Sequence, residues 1–248
     1  MAFPTLRTLE LDAEIEAPTR FLEWADGISL VDLTVVCPLL KVHRLFSAIE
    51  TGISHSSLQQ LAFHSSDNSF DGAHVAAHLI RGPSLRHLFC FVNLTSLSVS
   101  TPVGFDLDDE TVTDMARSWR HIEYLDLQAL CGTPAPRATL RCLQAFPQYC
   151  PQLTSLSMSF DATVLPESHG AVSLQTLRYL NVEGSPIGDA VSVGQYINAI
   201  FPSLRRVETL ADTLGGDYEL AVVVVPRIFD SQATWQDVER VLCGTGVR

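Results

Sequence analysis

One short phrase, apolar-x-x-apolar-x-apolar, recurs along most of the chain and constrains the fold more than any other feature. It reads Leu6-Leu9-Leu11, Leu30-Leu33-Val35, Leu58-Leu61-Phe63, Leu94-Leu97-Val99, Ile122-Leu125-Leu127, Leu153-Leu156-Met158, Leu177-Leu180-Val182 and, more weakly, Leu204-Val207-Thr209. The first positions are separated by 24, 28, 36, 28, 31, 24 and 27 residues. In most phrases the last two apolar positions alternate with polar ones, the period of a strand with one buried face. A unit of this size cannot cover that face alone, so neighbouring units must stack.

This period is that of a leucine-rich repeat of the longer kind, and the 36-residue step predicts a degenerate unit at Leu85-Arg86-His87-Leu88. Phe3-Pro4-Thr5-Leu6, Cys150-Pro151-Gln152-Leu153 and Phe201-Pro202-Ser203-Leu204 each introduce a unit. Proline, with fixed φ and no N–H, stops the preceding helix and leads into the strand. After each strand comes a polar or glycine-bearing loop, then a stretch with helical spacing. The clearest covers residues 108–119, with Val112, Met115, Ala116 and Trp119 on one stripe. The predicted fold is therefore α/β: a leucine-rich-repeat solenoid with a curved parallel sheet on its concave face and helices on its convex face. Strands are expected near 8–12, 32–36, 60–64, 96–100, 124–128, 155–159 and 179–183, paired in chain order. Residues 1–212 form about eight irregular repeats in this reading. Residues 213–248 form a capping segment or tail, with a strand at 220–226 and a closing helix at 231–242.

Inward leucines leave an outward set on the concave face. His64, Tyr124, Asp126, Gln128, Tyr179, Asn181 and Glu183 are its candidate protein-binding residues. Rows of serine, Ser96-Ser98-Ser100 and Ser155-Ser157-Ser159, flank Tyr124 and leave its ring standing proud, as contact hot spots often require. The alternative is a solvated face whose polar residues bind nothing.

Asn93-Leu94-Thr95 through Val103-Gly104-Phe105-Asp106-Leu107-Asp108-Asp109, Met115-Ala116-Arg117-Ser118-Trp119, Tyr149-Cys150-Pro151-Gln152-Leu153 and Ala199-Ile200-Phe201-Pro202-Ser203-Leu204 carry a more specific likeness. Together with Thr139-Leu140-Arg141 and Phe160-Asp161-Ala162-Thr163, they resemble the C-terminal leucine-rich-repeat region of F-box proteins of mushroom-forming fungi. The resemblance covers roughly residues 85–212, and the N-terminal third only through its repeat. It implies the substrate-recognition part of an SCF-type ubiquitin ligase, binding an unknown protein substrate. The Skp adaptor and cullin become partners only if an F-box lies upstream, because the sequence begins inside a repeat at Phe3 and shows none. The alternative is a free-standing repeat scaffold with no ubiquitin role. The Asn or Cys usual after the last strand leucine is replaced by Glu14, Pro38, Ser66, Pro102, Leu130, Asp161 and Ser185, so its side-chain ladder is expected to be absent. Without upstream sequence the first strand's edge is also expected to be uncapped, leaving Leu6, Leu9 and Leu11 half covered.

Other functions find little support. With 16 basic and 28 acidic residues, a formal charge of −12 and no Lys/Arg cluster, neither nucleic acid nor an anionic membrane is an expected partner. No stretch has the roughly 20 apolar residues of a spanning helix. The N-terminus lacks the basic and apolar regions of a secretory signal. Six cysteines without a CxxC pair are expected to be reduced and buried, in an intracellular protein of the cytoplasm or nucleus. Phosphate-loop, dinucleotide and nucleophile-elbow motifs are missing, so no enzyme and no cofactor are expected. His74 and His78 share a helical spacing, but Val75 stands where a zinc protease needs glutamate. Asp106, Asp108, Asp109 and Glu110 lack the spacing of a calcium loop and read as partners of a helix N-terminus.

Overall fold

The structure is a computed structural model describing residues 5–37, 42–65, 79–129, 135–167, 172–209 and 227–244. Ten strands are found among them: β1 (Thr8–Asp12), β2 (Asp32–Cys37), β3 (Gln60–Ser65), β4 (Ile80–Arg81), β5 (Ser96–Thr101), β6 (Phe105–Asp106), β7 (Tyr124–Ala129), β8 (Ser155–Ser157), β9 (Tyr179–Asn181) and β10 (Arg206–Glu208). Eight of them form one sheet in the order β1-β2-β3-β5-β7-β8-β9-β10, and every pairing is parallel. The other two, β4 and β6, form a small parallel pair of their own.

Register follows the leucines. Leu9, Leu33, Leu61, Leu97, Leu125, Leu156, Leu180 and Val207 stand opposite one another across all eight strands. From Leu33 to Val207 they are buried, as are Val35, Phe63, Val99 and Leu127 two residues on. Backbone bonds lock this register. The carbonyl of Arg7 accepts from the N–H groups of both Val31 and Asp32, at 2.7 and 3.1 Å. The same arrangement recurs at the carbonyls of Val31, Gln59, Thr95, Glu123, Thr154 and Arg178, each capturing the two N–H groups that open the next strand, at 2.8–3.3 Å.

The chain turns from helix to strand in a similarly repetitive way. The carbonyls of Phe91, Trp119, Cys150 and Phe201, all on buried residues, accept from Leu94, Ile122, Leu153 and Leu204 at 3.1–3.2 Å. Proline follows two of these four residues, so the turn itself rather than proline defines the punctuation.

Seven α-helices are found among the described residues: α1 (Glu16–Trp24), α2 (Val42–Gly52), α3 (Gly82–Leu85), α4 (Asp109–Ser118), α5 (Ala145–Tyr149), α6 (Ala190–Ile200) and α7 (Arg227–Gly244). Leu22, Leu45, Ile49, Val112, Met115, Phe146 and Ile197 join the inward strand residues in one hydrophobic cluster. Trp235 and Val238 of α7 belong to it as well, Trp235 through an edge contact with Phe160 and an Nε1–H bond to the Ser185 carbonyl at 2.8 Å. The expected strand at 220–226 lies outside the described residues.

The degenerate unit expected at Leu85-Arg86-His87-Leu88 is not a strand. These residues run from the end of α3 into a 3-10 turn at Arg86–Leu88, and β3 pairs directly with β5. Gly82-Pro83 starts a helix here, and Leu85 and Leu88, both buried, are spaced as on a helical face. Cys37, Cys142 and Cys150 are buried and Cys90 half-buried, all four as free thiols. Burial pushes the Cys37 and Cys150 thiols up to about 12. Cys131 and the Cys243 side chain lie outside the described residues, as do His74 and His78.

The outer edge of β1 has no strand partner among the described residues, and Leu6, Leu9 and Leu11 remain half-buried. Each forfeits part of the ~1.5–3 kcal/mol that full burial of a leucine provides. Residues 1–248 should therefore self-associate through this edge, and Thr8→Lys, which charges it, should reduce the association. Light scattering across a concentration series checks this; a wild-type monomer throughout, with protected amides at 8–12, contradicts it.

Candidate functional site

Alternation along the strands presents a second face, and parallel register sorts it into rows. One row reads Thr8, Asp32, Gln60, Ser96, Tyr124, Ser155, Tyr179, Arg206. The next reads Glu10, Thr34, Ala62, Ser98, Asp126, Ser157, Asn181, Glu208. A shorter third row contains Val36, His64, Ser100 and Gln128. The structure thus brings Tyr124 and Tyr179 into one row, Asp126 and Asn181 into another, and His64 and Gln128 into a third.

Tyr124 and Tyr179 lie two strands apart, with only Ser155 between them. At ~4.8 Å per strand their backbones are about 10 Å apart. Tyr124 is 42% exposed, and its hydroxyl donates to Asp126 Oδ2 at 3.3 Å. Ser98 Oγ donates to the same oxygen at 3.2 Å. The Tyr179 hydroxyl donates to Glu208, which also pairs with Arg206. Partial burial, reinforced by the neighbouring carboxylate, pushes the Tyr124 phenol up to about 12; the Tyr179 phenol is raised for the same reasons. Both phenols therefore remain donors at neutral pH, each tied to a carboxylate by its hydroxyl.

Asn181 and Glu183 depart from the expectation of an open face. Asn181 is 3% exposed and Glu183 2%. For Glu183 the reason is local: β9 is only three residues long, and Glu183, beyond its end, takes a left-handed conformation with φ 54°. That conformation is unfavourable for a residue with a Cβ. The Asn181 side chain holds it by accepting from the Glu183 N–H at 2.8 Å, and the carboxylate accepts from Ser157 Oγ at 3.1 Å. The other oxygen, Oε2, is buried with no hydrogen-bond partner among the described residues. Desolvation pushes the Glu183 carboxyl up to about 8; the Ser157 bond and the nearby Ala129 backbone oppose the rise, and the Asp126 charge adds to it. No alternation rule reports a reversal of backbone handedness, so this buried carboxyl was not legible from spacing.

The acidic segment before α4 behaves largely as a helix start. Asp108 caps α4 by accepting from Thr111 N–H and Oγ1 at 2.9 and 2.7 Å. Asp106 pairs with Arg137 at 2.6 Å. Asp109 instead reaches the next unit, accepting from Thr139 N–H and Oγ1 at 2.6 and 2.8 Å. Ser185 departs from expectation too: its Oγ accepts from Phe160 N–H at 2.9 Å, so a side-chain strap between units exists at that step.

No family model matches the chain, and neither does any curated protein. Among the described residues no helix is long and apolar enough to cross a membrane.

The buried carboxyl makes stability pH-dependent. An unfolded chain releases the Glu183 proton near pH 4.5, whereas the folded chain keeps it to about pH 8. The folded state binds the extra proton in that window, so this residue's contribution is full below it and is lost as pH rises through it. At ~1.4 kcal/mol per pH unit the loss approaches ~5 kcal/mol. Glu183→Gln should remove it. Urea unfolding of both proteins at pH 5 and pH 9 reads the difference, and an equal pH response would refute the assignment.

Proposed function

We propose that the chain is a leucine-rich-repeat solenoid, its sheet forming the concave face and its helices the convex one, and that this face binds another protein. The observation carrying this reading is the row Ser96, Tyr124, Ser155, Tyr179. Tyr124 stands between Ser96 and Ser155, and Tyr179 between Ser155 and Arg206, with both hydroxyls tied down. Tyrosine is enriched at binding hot spots because it supplies a large contact area with few rotatable bonds. A rigid parallel sheet holds such groups at fixed spacing, so little ordering remains to be done when a partner arrives.

The more specific form of the proposal is the substrate-recognition part of an SCF-type ubiquitin ligase. Its support is the likeness of the repeat phrases to fungal F-box proteins, and it requires an F-box encoded upstream. Mapping the transcript's 5′ end decides between that form and a free-standing scaffold. An in-frame F-box favours the first; an in-frame stop immediately before Met1 favours the second.

Tyr124→Ala and Tyr179→Ala should each weaken a protein partner by ~2 kcal/mol. Thermal unfolding should change little for Tyr124, whose ring is largely outside the core. Affinity capture followed by titration of the captured protein tests this; unchanged affinity in both variants places the binding surface elsewhere.

A further inference from the structure

The face that binds protein in the reading above is strongly anionic. Glu10, Asp12, Asp32, Asp126 and Glu208 lie on its rows, and the only guanidinium among them, Arg206, is paired with Glu208. No Lys or Arg among the described residues pairs with Asp126. A second carboxyl lies near enough to feel its charge. Glu183 is 2% exposed and bonded through Oε1 to Ser157, the register partner of Asp126, and its Oε2 has no hydrogen-bond partner among the described residues. Ser157 thus stands between a buried, bonded Glu183 carboxyl and the strand that carries Asp126, and no Lys or Arg among the described residues pairs with either carboxyl.

A metal ion does not fit this gap, since no group of three or more His, Cys, Asp or Glu among the described residues is placed to hold one. An organic cation does. Tyr124 and Tyr179 flank Ser155, a small residue, on two strands about 10 Å apart. Their hydroxyls are held by Asp126 and Glu208, which fixes both rings at one end beside Ser155. A planar guanidinium stacks on aromatic faces and donates to a carboxylate at the same time, whereas an ammonium is a compact, strongly hydrated charge.

We propose that the slot between Tyr124 and Tyr179 receives an arginine side chain of the bound protein, its guanidinium stacked on the tyrosine rings and hydrogen-bonded to Asp126. The inference rests on the protein-binding reading of this face and narrows the partner to one presenting an exposed arginine. Ser155 and Ser157 form the floor, and the charge that favours the cation is that of Asp126, since the buried Glu183 carboxyl behind Ser157 keeps its proton at neutral pH.

The test is a titration of the full chain, labelled with 13C in its tyrosine rings, with the peptide acetyl-Gly-Arg-Gly-amide. Two controls replace arginine with citrulline, which keeps the shape without the charge, and with lysine, which keeps the charge without the plane. The arginine peptide should shift the Tyr124 and Tyr179 signals saturably, binding at least tenfold more tightly than the citrulline peptide and at least threefold more tightly than the lysine peptide. Asp126→Asn should weaken it fivefold or more, and Tyr124→Phe should keep most of the binding that Tyr124→Ala loses. Should either variant fail to fold, the three peptides on the wild-type chain still decide the matter. Equal binding of arginine and citrulline peptides, equal binding of arginine and lysine peptides, or shifts absent from both tyrosines would each overturn the slot. A protein partner that requires Tyr124 and Tyr179 while the arginine peptide stays unbound would keep the face as a docking surface and remove only the arginine.

Discussion

A single backbone carbonyl at the entrance of each strand, shared by two N–H groups of the next, is the interaction on which the rest of the structure depends. It recurs at seven successive positions from Arg7 to Arg178. Because side chains alternate along a strand, a slip of one residue would turn every leucine outward. The shared carbonyl fixes the register at the point where each strand begins, and the inward leucines then fall opposite one another. Side chains reinforce it where loops are irregular: Thr154 Oγ1 donates to the Glu123 carbonyl, Asn93 Nδ2 to the Ser56 carbonyl, and Asp109 accepts from Thr139.

The outward face is a by-product of the same register. Once the leucines point inward, the residues between them are forced outward in rows, and their chemistry is free to vary without disturbing the core. That freedom explains how serines, tyrosines and carboxylates come to stand side by side on a sheet otherwise built from branched apolar residues. It also explains why the face is rigid: the Tyr124 and Tyr179 backbones belong to strands paired on both sides.

Most of this was legible in the sequence because period-two patterning reports burial directly. The strands at Asp32–Cys37, Gln60–Ser65, Ser96–Thr101 and Tyr124–Ala129, and their parallel order, follow from the leucine spacing alone. What spacing could not report is the handedness of single residues and the choice between helix and strand in a short apolar run. Glu183 is buried where the backbone turns left-handed just beyond β9, and Leu85 to Leu88 are helical because Gly82-Pro83 opens a helix before them. The tyrosine row was legible for the opposite reason, since Tyr124 and Tyr179 sit within regular strands where alternation holds.

If each unit is held chiefly by its neighbours, damage should spread along the stack by distance. Leu125 is buried in β7, near the middle of the sheet. Leu125→Ala removes ~2–5 kcal/mol of core packing there. Native-state amide hydrogen exchange of this variant is the most direct test: protection should fall most in β7, less in β5 and β8, and least in β1 and β10. A uniform loss across all eight strands, or a loss confined to β7, would contradict a sheet stabilised unit against unit.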